Sequence, residues 1–244
     1  MSDALPSTPK TSTSATPPWW RVVPSRWISL FWLKAIGTPL FMVVFFIAYF
    51  AVLRASAGRA VEVPLTFIDH WVGFQAWSLI PYLSLWLYVS LPSSLIVNFW
   101  EIARHTLGCA LLSGAGLFFF WLWPTTTPSP DIDWQNHPEF LFIKQVDAGG
   151  NACPSLHVAF AVFAAFWLAR LLRRIGAGPC ARIGNVIWAG LIIFSTLATH
   201  QHVAIDVVAG ALLGWLFARI NLHFSPEPTE PDRFRKQPSR TEAR

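Results

Sequence analysis

Charge is scarce in this chain. Only 13% of its 244 residues are Asp, Glu, Lys or Arg, against 54% hydrophobic residues. That balance excludes an ordinary soluble domain and points to an integral membrane protein. Cysteine is scarce as well. Cys109, Cys153 and Cys180 are an odd number at unrelated spacings. They give neither a disulfide framework nor a metal-ligand pattern, and they leave the redox compartment open. No H-E-x-x-H run, zinc-spaced cysteine pair or internal repeat is present. There is no cleavable signal pattern, so the first apolar segment is expected to act as an uncleaved anchor. The net charge is +5, but the basic residues are spread over tails and short loops. With no basic patch interleaved with aromatics, nucleic acid is excluded as a partner.

What is abundant fits a bilayer. Fourteen tryptophans suit the membrane–water interface, where indole rings concentrate. Six apolar segments run over roughly 29–53, 77–97, 102–123, 155–172, 183–199 and 203–222, each near the ~20 residues a spanning helix needs. The fold class predicted is therefore all-α, a six-transmembrane-helix bundle over 27–223. It is flanked by disordered polar tails at 1–26 and 224–244, both rich in Ser, Thr, Pro or charge. Pro39, Pro81 and Pro92 fall inside segments, where packed membrane helices tolerate them. Arg170, Arg173, Arg174 and Arg182 cluster in one short connection. By the positive-inside rule they place that connection and the N-terminus on the cytoplasmic side. The longer outer connections, 61–77 and 133–145, mix apolar and polar residues. They read equally as interfacial helices, a lid, or irregular loops on the headgroups.

Titratable residues gather where they are costly. The stretch "THQHVAID" (Thr199 to Asp206) puts two histidines and an aspartate among apolar segments, and an intramembrane ionisable group is a functional hypothesis by default. The fourth segment opens with "NACPSLH". There Pro154 and Ser155 signal a helix start and put His157 in the first turn. Between His157 and His202 lie two membrane crossings and a turn, so both histidines are expected at the same depth on the outer side. His202 and Asp206, four apart, share a helix face. An Asp that accepts the Nδ1–H leaves Nε2 free and basic, as a nucleophile requires. His157 can protonate a departing oxygen. Ser155 and the N-termini of both helices add donors, and both helix dipoles favour an anion there. A zinc site built from His157, His200, His202 and Asp206 is the weaker reading, because residues 200 and 202 fall on different sides of a helix.

These residues resemble the type 2 phosphatidic acid phosphatase (PAP2) superfamily, whose pattern is K-x6-R-P, then P-S-G-H, then S-R-x5-H-x3-D. Pro154-Ser155-Leu156-His157 resembles the second block, with Leu for Gly. Ser195-Thr196 followed by His202 and Asp206 resembles the third, with Thr at the Arg position. In the first block, Ser129-Pro130 stands for Arg-Pro and Leu122 falls at the Lys position. "STLATHQHVAID" and "IPYLSLWLYVSLP" are closest to the inositol-phosphorylceramide synthase and sphingomyelin-synthase-like branch, which keeps the His, His, Asp set with fewer cations. The resemblance implies catalytic roles for His157, His202 and Asp206, through a phosphohistidine on His202. It implies no metal and no cofactor.

The substitutions remove cations that bind phosphate, and phosphoryl transfer relies largely on electrostatic stabilisation. The candidate replacements are His200, Lys144, His137 and the helix dipoles. Ser155, His200, Ser195 and Lys144 are the residues expected to bind substrate. The function expected is that of a lipid phosphatase or phosphotransferase. Its partners are the bilayer and a lipid phosphate, and its site lies on the periplasmic or outer face. The oligomeric state stays open. The alternatives are a degenerate lipid-phosphate-binding protein and a transporter using His and Asp as a proton relay.

Overall fold

The computed structural model describes residues 18–56, 58–130, 132–140 and 150–225. Among them the chain is almost wholly helical. The elements are α1 (Val23–Ile28), α2 (Phe31–Ser56), α3 (Phe67–Val72), α4 (Leu79–Leu95), α5 (Phe99–Leu122), α6 (Leu156–Arg174), α7 (Pro179–Ala198) and α8 (Ala204–His223). All six expected apolar segments are helices. Five of these, α2, α5, α6, α7 and α8, are long and apolar enough to cross a membrane. The exception is α4, the shortest of the six at 17 residues. Two residues each of β1 (Val61–Glu62) and β2 (Thr125–Thr126) pair in parallel and tie together the connections that follow α2 and α5.

The expected tail at 1–26 is corrected by the structure. A 3-10 turn at Trp19–Val22 leads into α1, which has a proline in its first turn, the position where proline suits a helix. Val22 joins the core, and the buried Arg26 donates from Nη1 to the Leu95 carbonyl at 2.8 Å. Contacts rather than composition order this segment. Residues 1–17 and 226–244 lie outside the described residues. The fifth helix begins earlier than expected, because Asn98 caps it, accepting from the Trp100 and Glu101 amides at 2.9 and 3.2 Å. The connection 61–77, expected on the outer side, contains a real helix, α3, started by a Thr66–Asp69 capping box. In the other connection expected there, 3-10 turns occupy Trp134–Asn136 and Pro138–Phe140.

Helix α6 is the central rod. It packs against α8, α7 and α4, and more of it is buried than of any other spanning helix. Close approach to α8 is set by glycine. A Cβ at Gly210 would collide with the Ser155 carbonyl oxygen, and one at Gly214 with that of Ala159. Small residues at such a crossing let helix backbones meet in lipid, where no hydrophobic force drives them together. The far end of α6 is pinned by Arg174, whose guanidinium meets both carboxylate oxygens of Glu101 on α5 at 2.8 Å. Bidentate pairs of this kind give specific geometry as well as energy. Helix α6 thus carries His157 at one end and the arginine cluster at the other, about 20–25 Å apart at 1.5 Å per residue.

Substitution should separate these roles. Gly214→Ala is expected to lower the melting temperature of the detergent-solubilised protein, by overpacking of about 1–3 kcal/mol. Gly190→Ala, on an exposed face of α7 with nothing within 4 Å of the new methyl, should leave it unchanged or raise it.

Candidate active site

The local sequence builds the start of α6 as expected. Ser155 is the N-cap, its Oγ accepting from the Val158 amide at 3.3 Å, so His157 stands in the first turn. The Ser155 amide donates to the Asp206 carbonyl at 3.0 Å, which joins the starts of α6 and α8 directly. Ser155 is fully buried, so its hydroxyl supports the helix from inside the packing. Leu156, where the resembling block has Gly, fits a notch on α5, since a Cβ at Gly116 would collide with it.

His202 is not on the helix with Asp206, contrary to expectation. Helix α8 starts at Ala204, and His202 lies in the turn before it. That turn is held by the Thr196 carbonyl, which accepts from the Gln201 and His202 amides at 3.1 Å each. His200 takes a left-handed backbone conformation there, with φ 55°. Even so, His202 Nδ1 approaches Asp206 Oδ2 at 3.5 Å, within ion-pair reach though longer than a formed hydrogen bond. Asp206 is fully buried. Its Oδ2 also accepts from the Val203 amide at 3.1 Å, which makes it a cap of its own helix. Burial, with the Asp206 charge close by, pushes the Cys153 thiol up to about 11, so it faces the carboxylate protonated.

The two imidazoles meet. His202 Nε2 lies 3.3 Å from His157 Nδ1, with ring centroids 5.4 Å apart. The expected juxtaposition is therefore present, and it is tighter than transfer permits. In-line transfer seats phosphorus against the attacking nitrogen, with the leaving oxygen beyond it and then the acid. That order needs the two nitrogens roughly 6 Å or more apart. The rings close on each other, and a phosphoryl group placed between them would require them to part.

Sequence reasoning missed two residues. Tyr82 on α4 brings its hydroxyl to 3.0 Å from His157 Nε2 and stacks its ring on the imidazole at a centroid distance of 5.0 Å. Asp69 on α3 accepts from the Ala204 amide at 2.8 Å through one oxygen and from Thr66 through the other. The expectation that the α8 dipole awaits a ligand anion is thus corrected, because carboxylates from Asp69 and Asp206 already occupy the first turn. Asp69 was legible only as a capping box; its reach to α8 was not encoded in any local spacing.

A cavity of roughly 140 Å³ opens from the histidines between α2, α4 and α6. Its walls are apolar and largely aromatic, with Phe45, Phe46 and Tyr49 from α2, Tyr82 and Trp86 from α4, and Phe160 from α6. His157, His202 and Asn151 supply the polar end. Phe41 also lines it, nine residues from Phe50 along α2, so the slot runs roughly 13 Å along that helix. The described residues lining it include no Lys or Arg.

The residues expected to bind substrate are placed differently. Ser195 is fully buried, and its hydroxyl donates to the Ile192 carbonyl at 2.6 Å. Thr196, at the family's Arg position, is also buried and spends its hydroxyl on the Ile193 carbonyl at 2.8 Å. His200 and His137 both meet Phe74 edge-on, at 6.1 and 4.8 Å between ring centroids, and neither lines the cavity. Leu122 and Ser129 are exposed. Lys144 lies outside the described residues. Among the described residues, no three His, Cys, Asp or Glu side chains are placed to share a metal ion.

The PAP2 superfamily model matches residues 105–230, just over half of the chain, and that stretch contains both histidines and Asp206. The chain belongs to the PAP2 superfamily. No curated protein sequence and no solved structure matches it. With five helices of spanning length and apolarity, this PAP2 chain is a multi-pass membrane protein. The matched stretch begins within α5, so α2, α3 and α4, with Tyr82, Asp69 and most of the aromatic slot, lie outside it.

If Asp69 anchors α3 onto the start of α8, Asp69→Ala should raise amide hydrogen exchange over 66–72 and at Ala204 together, while the middle of α6 stays protected. Exchange confined to α3 would mean that the Ala204 contact carries no weight.

Proposed function

We propose that this PAP2 chain is a membrane enzyme that breaks or transfers a phosphate ester of a lipid. The observation that carries the reading is the meeting of His157 and His202, from separate helices, at the polar end of an aromatic slot. A lone buried His–Asp pair is common in protein interiors. Two histidines converging on a cavity with a carboxylate behind one of them suit nucleophilic and acid–base work.

In this reading the rings part and the phosphoryl group enters between them. His202 Nε2 attacks phosphorus, the bond from phosphorus to the lipid oxygen breaks, and His157 gives that oxygen its proton. The product is a phosphohistidine and a free lipid alcohol. His157, now neutral, takes the proton from an incoming water or alcohol as that oxygen attacks phosphorus. The phosphorus–nitrogen bond breaks and His202 is restored. Asp206 holds the His202 ring and offsets the positive charge it gains. Water as acceptor makes the enzyme a phosphatase, and a lipid alcohol makes it a transferase of the sphingomyelin-synthase-like kind. The slot takes the lipid chain. Lys144 is the cation proposed to approach the phosphoryl oxygens, with His200 at the rim, while Ser155 and Ser195 hold the backbone that presents the histidines.

The placement that suits this chemistry is a bundle of six crossings, with α4 extended at its start by the 3-10 turn at Ala76–Ser78. The arginine-bearing end faces the cytoplasm and the histidines face the outer side.

Purified protein in mixed micelles should release phosphate from a phosphatidic acid, or transfer a headgroup from a phosphodiester lipid to an added lipid alcohol. His202→Ala should abolish both. His157→Ala should slow turnover by about 10²–10⁴-fold. Asp206→Asn should still insert yet lose at least ~10²-fold, because an amide cannot stabilise the imidazolium. Acid-labile ³²P retained by the parent and absent from His202→Ala would mark the covalent step. Equal turnover by parent and His202→Ala would overturn the reading.

A further inference from the structure

Tyr82 begins a polar chain of four residues that ends in Asp206. Its hydroxyl is 3.0 Å from His157 Nε2. His157 Nδ1 is 3.3 Å from His202 Nε2, and His202 Nδ1 is 3.5 Å from Asp206 Oδ2. With both rings neutral, one arrangement of protons fits these contacts. Asp206 is an acceptor, so His202 carries its proton on Nδ1 and offers a bare Nε2. His157 must then donate from Nδ1, which leaves its own Nε2 as an acceptor for the Tyr82 hydroxyl. The ring of Tyr82 also lies flat on His157, at 29° between planes, and Trp86 meets it from the side at 6.1 Å. The imidazole is therefore gripped by face, by edge and by one nitrogen.

We propose that Tyr82 is a positioning residue that engages His157 Nε2 both when that nitrogen is bare, in the closed pair, and when it carries the proton it keeps through turnover, so that Nδ1 is the one nitrogen that exchanges protons with substrate. The proposal rests on the acid–base role given to His157 above. A hydroxyl suits this task better than other polar partners. A carboxylate would trap the cation. A carbonyl could accept from the protonated Nε2 but could not donate to the bare Nε2 of the closed pair. A tyrosine O–H donates to that bare nitrogen and, by rotating, accepts from the Nε2–H that the ring holds as imidazolium and, once Nδ1 has given its proton, as the neutral base. Tyr82 is buried and comes from α4, a helix outside the matched family stretch.

The test uses the full-length protein with ¹⁵N-labelled histidine, in which the His157 resonances are identified by their loss in His157→Asn. The parent should show neutral His157 as the Nδ1–H tautomer. Tyr82→Phe removes one oxygen and keeps the ring, and it should turn this signal into a mixture of tautomers. In turnover assays Tyr82→Phe should lower kcat by about 10–100-fold with KM changed less than twofold, since the slot keeps its shape. A parent with Nε2–H on His157, or a Tyr82→Phe protein with unchanged tautomer, would overturn the proposal. If the parent turns over no lipid phosphate yet its Nδ1–H tautomer is lost in Tyr82→Phe, the positioning role stands and the enzymatic reading falls. If Tyr82→Phe melts far below the parent, Tyr82→His supplies the second variant, because its ring nitrogen offers a partner to Nε2. Tautomer restored in Tyr82→His supports the proposal, and tautomer still mixed there counts against it.

Discussion

The contact on which the site depends is the press of α8 against α6, backbone to backbone, over Gly210 and Gly214. Lipid offers no hydrophobic reward for bringing two helices together, so the approach is set by what the helices lack, side chains at the crossing. Because Gly210 sits against the Ser155 carbonyl and the Ser155 amide bonds the Asp206 carbonyl, the starts of the two helices are fixed in register. His157 follows Ser155 by two residues, and His202 precedes Asp206 by four. Their meeting is a consequence of that register more than of any attraction between the rings.

A second constraint shapes what the site can do. The amides at the start of α8 are satisfied by the chain's own acids, Asp206 and Asp69, and the family's Arg position holds a buried threonine whose carbonyl closes the turn before His202. Residues that would meet phosphate in a cation-rich relative here hold the scaffold. Leu156 does the same in place of glycine, by filling the notch over Gly116. Among the described residues, the cavity offers a ligand two imidazoles, one amide side chain, the hydroxyl-bearing Tyr49 and Tyr82, and an aromatic slot.

Much of this was legible in the sequence, for identifiable reasons. Runs of apolar residues near spanning length gave the helices. Ser155 announced a cap, and the separation of His157 from His202 gave two crossings and hence equal depth. Other features were not local. Residues 19–26 read as part of a polar tail because nothing nearby reveals that Arg26 will find the Leu95 carbonyl. The break before Ala204 was hidden because His202 and Asp206 keep helical spacing while the backbone between them turns. Tyr82 looked like one more aromatic in a membrane segment; only the packing of α4 on α6 makes it a partner of His157.

On the proposed reading, the closed gap between the imidazoles bears on how the site treats small molecules. The nitrogen proposed as nucleophile already meets its neighbour, so each ligand must first displace an internal partner. A headgroup fragment in solution brings little binding energy for that exchange. A lipid does so by burying its hydrocarbon tail along Phe41, Phe45 and Phe50, at roughly 0.8 kcal/mol per methylene group. Discrimination against soluble phosphoesters would then arise far from phosphorus, through a tail that unlocks the reacting pair.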